Sequence, residues 1–251
     1  MAILTLPRLH WGDPRSSKKA LLVHGLGSSA QTTWRLSEAL AESGWSATAI
    51  DLRGHGYAPR ASRYRFDDFA GDIQHTTPEA GGAWDVVIGH SIGAAAAVLA
   101  SVSDPQWAKK LILLDPALLL SDERAEMVRS GQMHGHDHLT EDEVRRDSPH
   151  WHPLDVELKV WSHRAASRFA LERAVLDNPG WSVVEQAKAV TTPTLIIGSD
   201  PAVDSMFSGE HAEDILASNP SMTLTVIEGA GHSVHRDRPE ETIAAMLEFV
   251  N

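Results

Sequence analysis

Short apolar runs recur through the first half of the chain, and segments with helical spacing separate them. Residues 20–23 are continuously apolar and stop just before Gly25, which reads as a buried strand. Residues 46–50, 84–88 and 110–114 read as further strands. Between them, 34–43, 66–73 and 92–101 carry apolar residues at helical intervals, and the first of these stops at Gly44. Strands alternating with helices predict an α/β fold: a mostly parallel sheet with helices on both faces.

The pattern changes after Leu114. From Asp115 to about Ala189 there is no clear strand run, and the segment is charged, His-rich and Trp-containing. It predicts helices and loops. Strand and helix signals return at 194–197, 208–218 and 222–227, and 240–250 places Ile243, Met246, Leu247 and Val250 on one helical face. The expected organisation is one α/β core made of 1–116 and 190–251, with 117–189 inserted as a helical lid. The insertion is too short for a full second domain but long enough to cover a pocket.

The 251 residues suit a single large domain. With 34 acidic and 22 basic residues the net charge is −12, which disfavours nucleic acid and anionic membrane as partners. A small-molecule substrate is the expected partner. There are no cysteines, so disulfides, thiolate metal sites and a cysteine nucleophile are excluded. Residues 1–10 lack a basic stretch followed by a long apolar run, and no apolar run reaches membrane-spanning length. A cytoplasmic protein is expected.

Three glycine-rich segments carry candidate chemistry. Gly89-His90-Ser91-Ile92-Gly93 is a G-x-S-x-G sequence with a strand before it and a helix after it. A nucleophile on so sharp a turn needs small neighbours, and Gly89 and Gly93 supply them. The turn also sets the Ile92 N–H at a helix N-terminus, where it can donate to an oxyanion. Val23-His24-Gly25-Leu26-Gly27-Ser28 follows the first buried strand, and Leu26 or Gly27 is the expected second oxyanion donor. The loop lacks the lysine and hydroxyl pattern of a phosphate-binding loop, and His24 reads as a structural turn residue. Gly229-Ala230-Gly231-His232 follows the last strand. A histidine in such a loop can reach Ser91 as general base and then general acid, with His235 as local competitor.

Together with Asp51-Leu52-Arg53-Gly54-His55-Gly56 and Pro193-Thr194-Leu195-Ile196-Ile197-Gly198, these segments resemble the α/β-hydrolase superfamily over nearly the whole chain. The resemblance implies the α/β-hydrolase fold and a serine hydrolase cleaving a small carboxylic ester or lactone, with no cofactor or metal. Members that use an aspartate at the elbow are disfavoured by Ser91. It also implies an acid behind His232. Relatives usually carry it after the strand at 194–197, where the common position falls on Ala202 and Asp200 and Asp204 flank it. Others carry it after the preceding strand, where Asp115 stands. Asp115 is the first choice and Asp200 and Asp204 the alternatives. Carbon–carbon bond hydrolases, some lyases and slow-turnover ligand receptors of this fold reuse the same residues.

Arg53 and His55 read chiefly as turn structure. His134, His136, His138, His150 and His152 suggest a metal only superficially, because residues at i and i+2 face apart on a helix. Trp151, Trp161 and Trp181, with Met127 and Met133, either pack the insertion or line a pocket beneath it. Trp151 and Trp161 are the expected substrate contacts.

Overall fold

The computed structural model describes residues 2–251. Seven strands form one sheet: β1 (Arg8–Trp11), β2 (Lys19–Val23), β3 (Ser46–Ile50), β4 (Val86–His90), β5 (Leu111–Leu114), β6 (Thr194–Gly198) and β7 (Met222–Val226). Their spatial order is β1-β3-β2-β4-β5-β6-β7. All pairings are parallel except β1 with β3, so the sheet is mostly parallel as expected. The sequence pattern missed β1. It is a short, half-exposed edge strand, and its residues Arg-Leu-His-Trp show no alternation.

The apolar runs have no alternation because both faces of the sheet are covered. Leu21, Val23, Leu111, Leu113 and Ile196 point into one core. That core is closed by α2 (Phe66–Gln74), α3 (Ile92–Ser103), α8 (Val184–Ala189) and α9 (Glu210–Ser218). Ala20, Leu22, Ile112, Leu114, Leu195 and Ile197 point into the other, against α1 (Trp34–Glu42) and α11 (Pro239–Val250). Adjacent residues of each strand thus enter opposite cores, as the period of two requires.

Between β5 and β6 lie α4 (Asp122–His138), α5 (Glu141–Asp147), α6 (Pro153–Ala165), α7 (Arg168–Leu176) and α8. Each of α4 to α7 begins with a side-chain cap: Ser121, Thr140, His152 and Ser167 accept from backbone N–H groups of their first turns. The helices α4, α6 and α7 pack together, whereas α8 packs on α3 and α9 of the core layer. A final short helix, α10 (Val234–Asp237), precedes α11. Among the described residues no helix is long and apolar enough to cross a membrane.

A buried ion pair ties the N-terminal segment to the sheet. Arg53 is 2% exposed and donates to both oxygens of the fully buried Asp72 at 2.8 and 2.9 Å. It also donates to the carbonyls of Arg63 and Ala2, while Asp72 accepts the Leu4 N–H. Arg53 is therefore structural. We expect Arg53→Met to strand the Asp72 carboxylate and cost about 3–5 kcal/mol, read as a fall in urea midpoint at an unchanged slope.

Candidate active site

The strand register places the candidate groups. His90 pairs with Leu114, and Leu114 with Ile197, so the ends of β4, β5 and β6 lie level. Just beyond these pairs the Ser91 N–H donates to the Leu114 carbonyl at 3.1 Å, and the Asp115 N–H to the Ile197 carbonyl at 2.9 Å. Ser91 and Asp115 therefore sit side by side, one strand apart, about 4.8 Å in the ladder direction.

Both residues leave their strands with unusual backbones. Ser91 has φ 54° and ψ −117°, and Asp115 has φ 33°. These are the two non-glycine residues with positive φ among the described residues. Such conformations cost of order 1–3 kcal/mol each and persist when the surroundings over-determine them. The turn at Ser91 is crowded on both sides. A Cβ on Gly89 would lie 2.7 Å from the Ala94 backbone, and one on Gly93 would lie 2.5 Å from the His24 carbonyl oxygen. The alanines 94–97, all fully buried, let α3 approach this closely.

His232 donates from Nδ1 to Asp115 Oδ2 at 2.6 Å. Asp115 is fully buried and also accepts from the N–H groups of Ser199, Met206 and Phe207 and from the Ser205 hydroxyl. Burial pushes its pKa up. The hydrogen bond and charge of His232, with the Met206 N–H and Ser199, outweigh that and hold the carboxyl below its ordinary value. Asp200 and Asp204 are occupied elsewhere. Asp200 accepts the N–H groups of Gly229 and Ala202, and Asp204 pairs with Arg124.

The histidine loop is braced by a second histidine. His90 donates from Nε2 to the His232 carbonyl at 2.9 Å, with the two rings 4.7 Å apart. Burial, then His232, pushes the His90 pKa well down, so it stays neutral. His235 is buried against His90 at 4.9 Å and does not reach Asp115.

Ile92 and Leu26 border the same cavity as Ser91 and His232. As the first residue of α3, Ile92 has an N–H with no intrahelical acceptor. Gly27 corrects an expectation. Its N–H donates to His55 Nε2 at 3.2 Å, and Gly27 does not border the cavity. His55 in turn donates from Nδ1 to the Arg53 carbonyl. Burial, with His24 next, pushes the His55 pKa down to about 3, so Nε2 stays an acceptor. His24 behaves alike: Nδ1 donates to the Gly25 carbonyl, Nε2 accepts from the Leu52 N–H, and burial pushes its pKa down to about 4. Of the two expected donors, Leu26 is the one whose N–H no protein group engages.

The cavity measures about 180 Å³. Ala117, Leu120, Met127, Val128, Trp181 and Met206 give it apolar walls, and Ser28, Gln132, Lys159, Ser233 and Arg236 its polar ones. The expected contacts Trp151 and Trp161 do not border it. Trp151 donates to Asp237 and lies against the Arg236 guanidinium, while Trp161 packs on Tyr57. An indole ring that stacks on another side chain is spent outside the pocket. Met133 is likewise buried in a separate small core. Among the insertion's histidines, His136 contacts Asp137, His150 contacts Asp237, and His152 caps α6. The cations Lys159 and Arg236 escaped the sequence reading. No local spacing marks them: α10 begins at Val234, beyond His232, so no helical i,i+4 relation links Arg236 to it.

A model of the alpha/beta hydrolase family matches residues 20–245. An esterase of Escherichia coli is 25% identical over 260 residues, spanning 95% of this chain and 95% of its own. An sn-1-specific diacylglycerol lipase of Danio rerio is 22% identical, over 93% of this chain and 78% of its own. The crystal structure of an E-2-(acetamidomethylene)succinate hydrolase superposes with a TM-score of 0.85 at 22% identity, covering 98% of this chain and 95% of that one.

The crowding at the elbow is testable without any substrate. Gly93→Ala is expected to cost about 1–3 kcal/mol by overpacking, because the atoms it meets are backbone oxygens of Val23 and His24 that cannot rotate away. Thermal unfolding of the purified variant reads the loss.

Proposed function

Since the chain belongs to the alpha/beta hydrolase family, matched over residues 20–245, we propose that it is a serine hydrolase cleaving a small carboxylic ester or lactone through an acyl-enzyme on Ser91. The observation that carries this reading is the 2.6 Å bond from His232 Nδ1 to Asp115, with Ser91 and His232 on one cavity.

His232 takes the Ser91 hydroxyl proton on Nε2 as Oγ attacks the carbonyl carbon. Asp115 holds the ring with its proton on Nδ1 and stabilises the imidazolium that forms. The carbonyl oxygen, now negative, accepts from the Ile92 and Leu26 N–H groups. Collapse breaks the ester bond, and the leaving alkoxide takes the proton from His232. Water then repeats the sequence on the acyl-enzyme: His232 accepts its proton, hydroxide adds, and Ser91 leaves reprotonated. No step needs a metal or cofactor. The helices α4 and α6 serve as the lid, since Met127, Val128 and Gln132 from the first and Lys159 from the second border the cavity.

Release of p-nitrophenol from p-nitrophenyl acetate tests the assignment. Ser91→Ala is expected to abolish turnover, and equal rates in variant and wild type would remove Ser91 from the role. Asp115→Asn is expected to lower kcat by about 10⁴-fold, because the amide favours the wrong tautomer of the histidine. Asp200→Ala and Asp204→Ala are expected to stay near wild type. A large loss on either would transfer the acid's role to it.

A further inference from the structure

Two cations border the cavity without a carboxylate partner. Lys159, from α6, has no acceptor within hydrogen-bond distance and no acidic group within ion-pair distance of its Nζ. Arg236 is 3% exposed, donates from Nη2 to Ser28 Oγ at 3.0 Å, and leaves Nε buried with no partner. The nearest acids are committed to other groups. Asp155 accepts from the Trp34 indole and faces Arg35 at 3.3 Å, and Asp237 accepts from the Trp151 indole and the Gly231 N–H. Both favour the Arg236 charge at a distance, but neither forms an ion pair with it.

Buried cations are ordinarily paired, and Arg236 is buried. Lys159 is half-buried, and desolvation, then the Arg236 charge, push its pKa down to about 7. Gln132 adds a third polar group on the same wall, with Oε1 also unpartnered. His163 lies close by, but burial and then Lys159 keep it neutral, so it takes no charge from a ligand.

We propose that Lys159 and Arg236 form a carboxylate-binding subsite beside Ser91, so that the substrate is a small ester carrying a free carboxylate. The inference rests on the serine-hydrolase reading for its reaction, but not for its binding. The size fits. A cavity of about 180 Å³ has room for a half-ester of a short dicarboxylic acid. One end of such a molecule would reach the cations while its ester carbonyl lies at Ser91, and the apolar walls would enclose the methylenes between. Hydrolysis proceeds as above, and the carboxylate is unchanged by it.

The test compares monomethyl succinate with methyl 4-methylpentanoate, in which an uncharged isopropyl group replaces the carboxylate at similar size. Wild type is expected to prefer the anionic ester in kcat/KM by about 10-fold or more. Lys159→Gln should lower that preference by about 10- to 100-fold, mainly through KM, and Lys159→Arg should retain most of it. Arg236→Gln risks the fold, because it removes the partner of Ser28, so Lys159 is the variant of choice. Equal or better turnover of the neutral ester by wild type would overturn the subsite, as would a preference undiminished in Lys159→Gln. Calorimetric titration of succinate into the Ser91→Ala protein reads the subsite without turnover. Binding there that disappears in the Lys159→Gln double variant supports it even if the nucleophile assignment fails. Absence of binding overturns it even if ester hydrolysis is intact.

Discussion

The level register of β4, β5 and β6 is the constraint on which the site depends. Parallel strands that end together bring Ser91 and Asp115 to one edge, each pinned by a last ladder bond to the neighbouring strand. Both backbones then turn into positive φ, which unaided sequence would avoid. The turn after β4 is held by contacts that tolerate only glycine at 89 and 93, and the turn after β5 by four donors to the Asp115 carboxylate. Moving the register by one residue would send these side chains to the opposite faces and separate the pair. The two-sided core makes such a slip costly, because every residue of β2 and β5 would change cores.

How legible each feature was in the chain follows from how local its cause is. Ser91 was legible because its glycines are within two residues, and His232 because two glycines precede it. The central strands were legible because full burial leaves unbroken apolar runs. The strand β1 was not, because an edge strand with half-exposed residues needs no apolar pattern. The choice among Asp115, Asp200 and Asp204 was a three-way split for a related reason. What favours Asp115 comes from donors 84 to 92 residues away, together with His232, and no local spacing encodes that. Gly27 was a donor candidate on local grounds, and a residue 28 positions on, His55, takes its N–H.

The tryptophans illustrate the same limit. Trp151 and Trp161 lie in the insertion and are large enough to line a pocket, but Tyr57 and Arg236 occupy their faces. Trp181, which does border the cavity, is oriented by a bond from its indole N–H to the Ala117 carbonyl at 2.8 Å. Residue type alone does not distinguish the three. The partner that fixes each ring does, and those partners are distant in sequence.

The treatment of buried charge separates structure from recognition in this molecule. Asp115 is fully enclosed and has a donor for each oxygen. Asp72 is fully enclosed and answered by Arg53, with Leu4 as a second donor. Where the fold needs a charge for its own sake, it supplies the partner. Arg236 is buried without a carboxylate partner, and the half-buried Lys159 also lacks one, both on the wall of the cavity that holds Ser91 and His232. Two cations without a carboxylate partner, on the wall of the cavity that Ser91 and His232 border, are the arrangement expected when a compensating charge arrives with the ligand.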